Sequence, residues 1–149
     1  MKRVFVIILA IVAAAMGCRA QEVAEINSTR QAVKRTGDAL LVAMPLATLT
    51  AVIVERDWQG LKQAAFSTAT TLGASYLLKY TVHKMRPDRS DNHAFPSAHT
   101  AVMFANAAFV QRRYGWKFGV PAYVLATYVG WSRTYAKKHD WWDVVTGAA

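Results

Sequence analysis

Three cations, a hydroxyl, two imidazoles and a carboxylate stand in three short blocks of this chain. Lys79-x6-Arg86-Pro87 opens the series, Pro96-Ser97-Ala98-His99 follows, and Ser132-Arg133-x5-His139-x3-Asp143 closes it. A phosphoryl group carries negative charge that must be neutralised before a nucleophile approaches. Lys79, Arg86 and Arg133 supply positive charge, the arginines with planar forks that match phosphate oxygens. Ser97 and the amides after it, at a helix start, offer free N–H groups and a favourable dipole to an anion. Asp143 follows His139 by four residues, the spacing that puts two side chains on one helix face. The inventory suits binding and cleaving a phosphate ester without a metal. Taken singly, each residue has a plainer reading: solvated surface charges, a serine that only caps its helix, a fortuitous His/Asp pair. The case rests on their coming together.

The elements that must position them are helices. Four stretches lack Asp, Glu, Lys and Arg: Ala39–Val54, Gln63–Leu78, His93–Gln111 and Phe118–Ser132. Their apolar residues repeat at helical spacing, as in Ala65, Ala69, Leu72, Tyr76 and Tyr80, or Val102, Ala105 and Phe109. No alternating strand pattern or Asn-Gly hairpin signal occurs. The expected fold is all-α, an antiparallel helical bundle with short connections. Arg86-Pro87 breaks the chain after the second helix, the third starts at Pro96-Ser97, and a fifth begins around His139. Up-and-down alternation then brings every candidate residue to one face of the bundle. The chain stops at Thr146-Gly147-Ala148-Ala149 without a cap or charged tail, so the bundle is expected to be incomplete at its C-terminus.

Length and composition fix the rest. With 149 residues, 54% hydrophobic and 18% charged, the chain makes one apolar domain rather than a disordered segment. The formal net charge of +9 favours anionic lipid or a phosphorylated substrate. The cations are spread out rather than forming a stripe interleaved with aromatics, which argues against nucleic acid. Four histidines occur without H-x3-H or H-E-x-x-H spacing, so zinc is not indicated. Cys18 is the single cysteine, which excludes an internal disulfide.

Lys2 and Arg3 precede the charge-free run Val4–Gly17, short for a membrane span and suited to an export signal. Segment 1–20 is read as that signal. Ala15-Met16-Gly17-Cys18 is similar to a lipoprotein site, and cleavage after Ala20 is the alternative. Residues 21–38 make a polar arm with a possible cap at Asn27-Ser28, and 39–149 the catalytic domain. The helices carry Ser67, Thr68, Thr70, Thr71, Ser75 and Asn106, and Pro45 interrupts the most apolar one. Such helices fit a bundle in water or in lipid.

The three blocks resemble the type 2 phosphatidic acid phosphatase (PAP2) superfamily, which includes bacterial class A acid phosphatases and vanadium haloperoxidases. Its signature is K-x6-RP, PSGH and SR-x5-H-x3-D, and the likeness spans Lys79–Asp143. The resemblance implies metal-free hydrolysis of a lipid phosphate or pyrophosphate at the periplasmic face of a bacterial membrane. His139 would be the nucleophile, forming a phosphohistidine, Asp143 its orienting partner and His99 the general acid. Lys79, Arg86, Ser97, Ala98 and Arg133 would bind phosphate. No cofactor is implied, although vanadate could occupy the phosphate site. A soluble periplasmic acid phosphatase acting on small phosphomonoesters is the alternative, and a non-catalytic module for anionic lipid headgroups is the alternative of another class. Ala98 departs from the signature Gly, which matters only if that position needs positive φ. His83 and His93 have no role in the signature.

Overall fold

The computed structural model describes the side chains of residues 27–149; the segment read as an export signal, with Cys18, lies outside them. Five helices follow one another: α1 (Lys2–Val54), α2 (Trp58–Thr81), α3 (Ala98–Tyr114), α4 (Trp116–Tyr135) and α5 (Trp141–Ala148). No strand forms among the described residues, only an isolated bridge between Lys84 and His93. The fold is all-α. Two compact units can be distinguished, Met1–Ala32 and Val33–Ala149. Everything below concerns the second.

Local sequence sets each boundary. Asp57 caps α2, its side chain accepting the Gly60 N–H at 2.8 Å. Ser97 caps α3, and Gly115, at φ +84°, ends that helix and starts α4. A side chain would be strained in that left-handed turn. Asp140 and Asp143 form a reciprocal capping box at the start of α5. The expected cap at Asn27-Ser28 does not form, because α1 continues through both residues. Pro45 does not interrupt α1 either, and Pro121 lies inside α4. The third helix begins at Ala98 after its Ser97 cap, close to the start expected at Pro96-Ser97.

Close approaches fix the directions. A Cβ on Gly119, early in α4, would meet Gln111 late in α3, and one on Gly130, late in α4, would meet Thr100 early in α3. The two helices are therefore antiparallel. Arg113 at the end of α3 is paired with Asp57 at the start of α2, while Lys79 at the end of α2 reaches Pro96 just before α3, so α2 and α3 are antiparallel too. Helix α5 returns against the start of α3, where Gly147 lies on the Ser97 carbonyl. Met44, Met103, Ala107, Ala122, Ala126 and Val129 make the buried core.

The burial pattern is unusual. Beside Met44, Met103 and the valines, the buried set is alanines and polar residues such as Thr48, Ser75, Ser97, Thr100 and Ser132, whereas many large apolar residues lie outside. Phe66 is 79% exposed, Leu77 67% and Val124 63%. The α2 stripe points outward at Ala65, Ala69, Tyr76 and Tyr80. Periodicity identifies the helix, but it does not say what its apolar face meets.

Candidate active site

The alternation of the helices brings the three blocks to one end of the bundle. Lys79, in the last turn of α2, donates to the carbonyls of His93 (2.9 Å) and Pro96 (2.8 Å), pinning the connector that leads to α3. Arg86 in that connector donates through Nε to Asp91 Oδ2 at 2.7 Å. Its Nη1 lies 3.5 Å from both the Lys138 carbonyl and His139 Nε2. The Arg86 hydrogen bond holds the Asp91 carboxyl below the usual carboxylate range. Ser97 is fully buried; its N–H donates to the Asp143 carbonyl at 2.9 Å, and its Oγ accepts from the Thr100 hydroxyl at 3.0 Å. Ala98 is the first residue of α3 and is not among the residues with positive φ. An alanine therefore fits where the signature has glycine.

His139 lies in the turn between α4 and α5, held by its backbone N–H to the Arg133 carbonyl at 3.3 Å. It therefore precedes α5 rather than starting it, since the shorter Asp140 side chain takes the cap. Asp143 reaches back from the first turn of α5. Its Oδ2 lies 3.5 Å from His139 Nδ1, and that nitrogen has no hydrogen-bond partner. The pair is in ionic proximity, not in the orienting hydrogen bond that the spacing predicts. The Asp143 oxygens are engaged otherwise: Oδ1 by Lys84 Nζ at 2.7 Å and Oδ2 by the Asp140 N–H at 3.0 Å. Burial, then the Arg86 and Lys79 charges, lower the His139 pKa to about 4 against the opposing pull of Asp143. The imidazole is thus neutral near pH 7, the form with a lone pair to give.

His99 and Arg133 form a second group beside the first. Arg133, 2% exposed, donates Nη1 to Asp38 Oδ1 at 2.7 Å and Nη2 to the Lys34 carbonyl at 2.8 Å. His99 Nε2 lies 3.1 Å from the same Asp38 oxygen. Lys34 Nζ holds the other oxygen at 3.0 Å. Gly37 makes this docking possible, since a methyl there would collide with Ser132 Oγ and the Arg133 guanidinium. The two groups join through the chain, Ser97 being two residues from His99 and the Arg133 carbonyl capping His139.

Sequence reasoning missed Asp38 and Lys84. Asp38 falls at the last position of the segment read as a polar arm, yet it is the only carboxylate between Glu25 and Glu55. A lone acid at the edge of an apolar helix was the available signal. Lys84 sits inside the first block among its unspecified positions and carries no local signal. His83 and His93 form ring contacts with each other, and His93 with Tyr80, in the connector. Among the described residues no group of three or more His, Cys, Asp or Glu is arranged to hold a metal ion.

One end of this helical bundle thus gathers cations, two imidazoles and a buried carboxylate. The family model of the PAP2 superfamily matches residues 60–149, and the chain belongs to that superfamily. Its enzyme class is that of the phosphoric monoester hydrolases. The chain is 33% identical over 134 residues to the lipid A 4'-phosphatase of Helicobacter pylori (strain J99), covering 83% of this chain and 67% of that protein. It is 36% identical over 74 residues to the lipid A 1-phosphatase of Porphyromonas gingivalis, covering 48% of this chain but 17% of that protein. The fold is shared with a transmembrane PAP2-type phosphatidylglycerolphosphate phosphatase from Bacillus subtilis, at TM-score 0.62 and 23% identity, covering 82% of this chain and 69% of that one.

Proposed function

We propose that the chain hydrolyses the phosphate of a membrane lipid, by way of a phosphohistidine and without a metal. One observation carries the reading: the cationic, imidazole-bearing end belongs to a bundle whose flanks expose large apolar side chains such as Phe66, Leu77 and Val124 and whose interior is rich in alanine, serine and threonine. Small residues at helix contacts and apolar residues outward are what lipid as solvent selects. The half-buried Asn106–Thr48 hydrogen bond of 3.1 Å between helices belongs to the same pattern. Asn27–Val54, with mean hydropathy 1.9, is long and apolar enough to cross a bilayer. Helix α4, with 20 residues, is about 30 Å long, near the hydrocarbon thickness, although among the described residues Asn27–Val54 alone is also apolar enough to span. Trp116 lies at one end of α4, and Trp131 stacked on Tyr135 lies at the other, as aromatic residues do at the two membrane interfaces. A lipid substrate would then present its phosphate at the bundle end, the outer face if the chain is exported as its first segment predicts. The lipid A phosphatases similar to this chain make lipid A phosphates the first substrates to test.

In the proposed reaction Lys79, Arg86 and Arg133 neutralise the phosphate, with Ser97 and the Ala98 amide at the start of α3. His139 Nε2, the ring nitrogen facing Arg86, attacks phosphorus. The bond to the leaving oxygen breaks, and that oxygen takes its electron pair and a proton from His99. His99 then accepts a proton from water as the water oxygen attacks the phosphohistidine. The P–N bond breaks, phosphate leaves, and the imidazole is restored. Asp143 steadies the imidazolium character that develops during attack.

Phosphate release in EDTA tests this, with wild type and His139→Ala in detergent micelles, on lipid A phosphates, a short-chain phosphatidate and p-nitrophenyl phosphate. EDTA-resistant, His139-dependent release from lipid is expected. Release from the small ester alone would favour the small-phosphomonoester alternative, and undiminished release by the variant would overturn the mechanism. Acid-labile phosphate trapped on wild type but not on His139→Ala is the direct signature.

A further inference from the structure

The Asp143 side chain is fully buried, and a carboxylate in such a place needs compensating partners. One is the Asp140 N–H; the other is Lys84, which none of the proposed roles uses. Lys84 lies past the end of α2, where its carbonyl accepts the Ala94 N–H at 2.9 Å and its backbone bridges to His93. With its backbone fixed there, its ammonium reaches α5 and lies 2.7 Å from Asp143 Oδ1 and 2.6 Å from Asp140 Oδ2. Lys84 and the His139 imidazole thus face opposite oxygens of one carboxylate, and they draw on the same negative charge.

We infer that Lys84 is a positioning residue for the nucleophile, anchoring the Asp143 carboxylate and limiting how strongly that carboxylate holds a proton on His139. The inference rests on the proposed reading of His139. The groups facing the imidazole are Arg86, Lys79 and Asp143, from the connector, α2 and α5. Those facing Asp143 are Lys84, its own cap Asp140, and the Ser97 backbone. Burial, and after it two cations, keep His139 neutral, and one anion opposes them. Lys84 weakens that anion from behind while fixing its position. Burial works against the Lys84 charge, but its bonds to Asp140 and Asp143 outweigh that and raise its pKa. It therefore stays protonated wherever the enzyme works. Without it, the Asp143 charge would act on His139 undiminished, opposed by Arg86 and Lys79 alone, and the carboxylate would keep a single tether, the Asp140 N–H.

The test compares wild type, Lys84→Gln and Lys84→Arg. Glutamine keeps a donor for Asp143 Oδ1 but removes the charge, and arginine restores the charge. NMR of ring-labelled histidine, assigned with His139→Ala, reads the His139 titration directly, whether or not His139 is the nucleophile. In Lys84→Gln its midpoint should rise by about one unit. The acid limb of kcat should rise with it, and kcat should fall roughly tenfold with KM little changed. Lys84→Arg should return all three toward wild type. An unmoved His139 midpoint in Lys84→Gln overturns the inference. A moved midpoint with activity retained in His139→Ala would instead overturn only the reading of the nucleophile.

Discussion

One carboxylate oxygen of Asp38 serves both the Arg133 guanidinium, at 2.7 Å, and the His99 imidazole, at 3.1 Å. The residue that should grip phosphate and the one that should protonate the leaving group are therefore tied to the same point on α1. An incoming phosphate competes with Asp38 for Arg133. Asp38→Asn removes a negative charge beside the anion site, so inorganic phosphate and vanadate should inhibit the variant several-fold more tightly, by competition assay. His99 loses its charged partner in the same variant. Turnover should fall roughly tenfold or more on an alkyl phosphate, whose leaving group needs a proton. It should fall much less on p-nitrophenyl phosphate, whose leaving group does not. Equal losses on both would show that Asp38 does not act through His99.

The contact between α1 and α4 depends on a missing side chain. A methyl on Gly37 would strike Ser132 Oγ and the Arg133 guanidinium, both held in the buried site. Gly37→Ala should destabilise the protein by about 1–3 kcal/mol, the usual cost of overpacking, and should lower phosphate affinity as Arg133 shifts. Gly73, in the middle of α2, has nothing within 4 Å of an added Cβ. Gly73→Ala should be stabilising by up to about 1 kcal/mol, since alanine is the better helix former. Thermal unfolding in detergent of both variants separates the two expectations, and a neutral Gly37→Ala would remove the close approach as a determinant.

Much of this was legible beforehand, for identifiable reasons. Apolar runs separated by charged and Gly-containing connectors mark α2, α3 and α4, and Ser97 announces the start of α3 through its own capping chemistry. The three blocks place Lys79, Arg86, His99, Arg133 and His139 because short connections leave few ways to arrange antiparallel helices. Asp38 and Lys84 were not legible as parts of the site, since their roles exist through contacts distant in sequence, 61 and 95 residues away for Asp38 and 59 for Lys84. The outward stripe of α2 escaped for another reason: spacing reports a face, and only packing reports the solvent. The His139–Asp143 spacing was read as helical, but an Asp at position 140 is a better cap than a histidine before it.

Acid should act on stability and activity in two stages. The fold depresses the His139 pKa from its ordinary 6.5 to about 4, by burial first and then by Arg86 and Lys79. A depressed histidine favours the folded state fully above its unfolded value, and that contribution is lost as pH falls from 6.5 through about 4. Activity, which needs the neutral ring, should persist through mildly acidic pH and fall with an acid limb near pH 4. The second stage belongs to the carboxylates. Burial opposes the ionisation of Asp88, but its bond to Lys138 outweighs this and lowers its pKa to about 2. Its contribution is present above 3.8 and disappears as pH falls through about 2. Unfolding followed across this range should show a first loss of stability beginning near pH 6.5 that is absent in His139→Ala. An identical acid profile in that variant would contradict the buried neutral imidazole.

Ala98 tests how far a signature position constrains chemistry. The expectation of a cost at this site depended on a positive φ, which glycine alone adopts without strain. Ala98 instead opens α3 in helical conformation, directly after the Ser97 cap. Its amide is still one of the free N–H groups at the helix start, and the methyl group does not alter the backbone that presents it. Ala98→Gly should therefore bring no gain in turnover. It should lower stability by about 0.5–1 kcal/mol, because glycine is the poorer helix former. Parallel measurement of kcat, phosphate inhibition and thermal unfolding decides the matter. A several-fold rise in kcat would mean that the methyl group obstructs the phosphate after all.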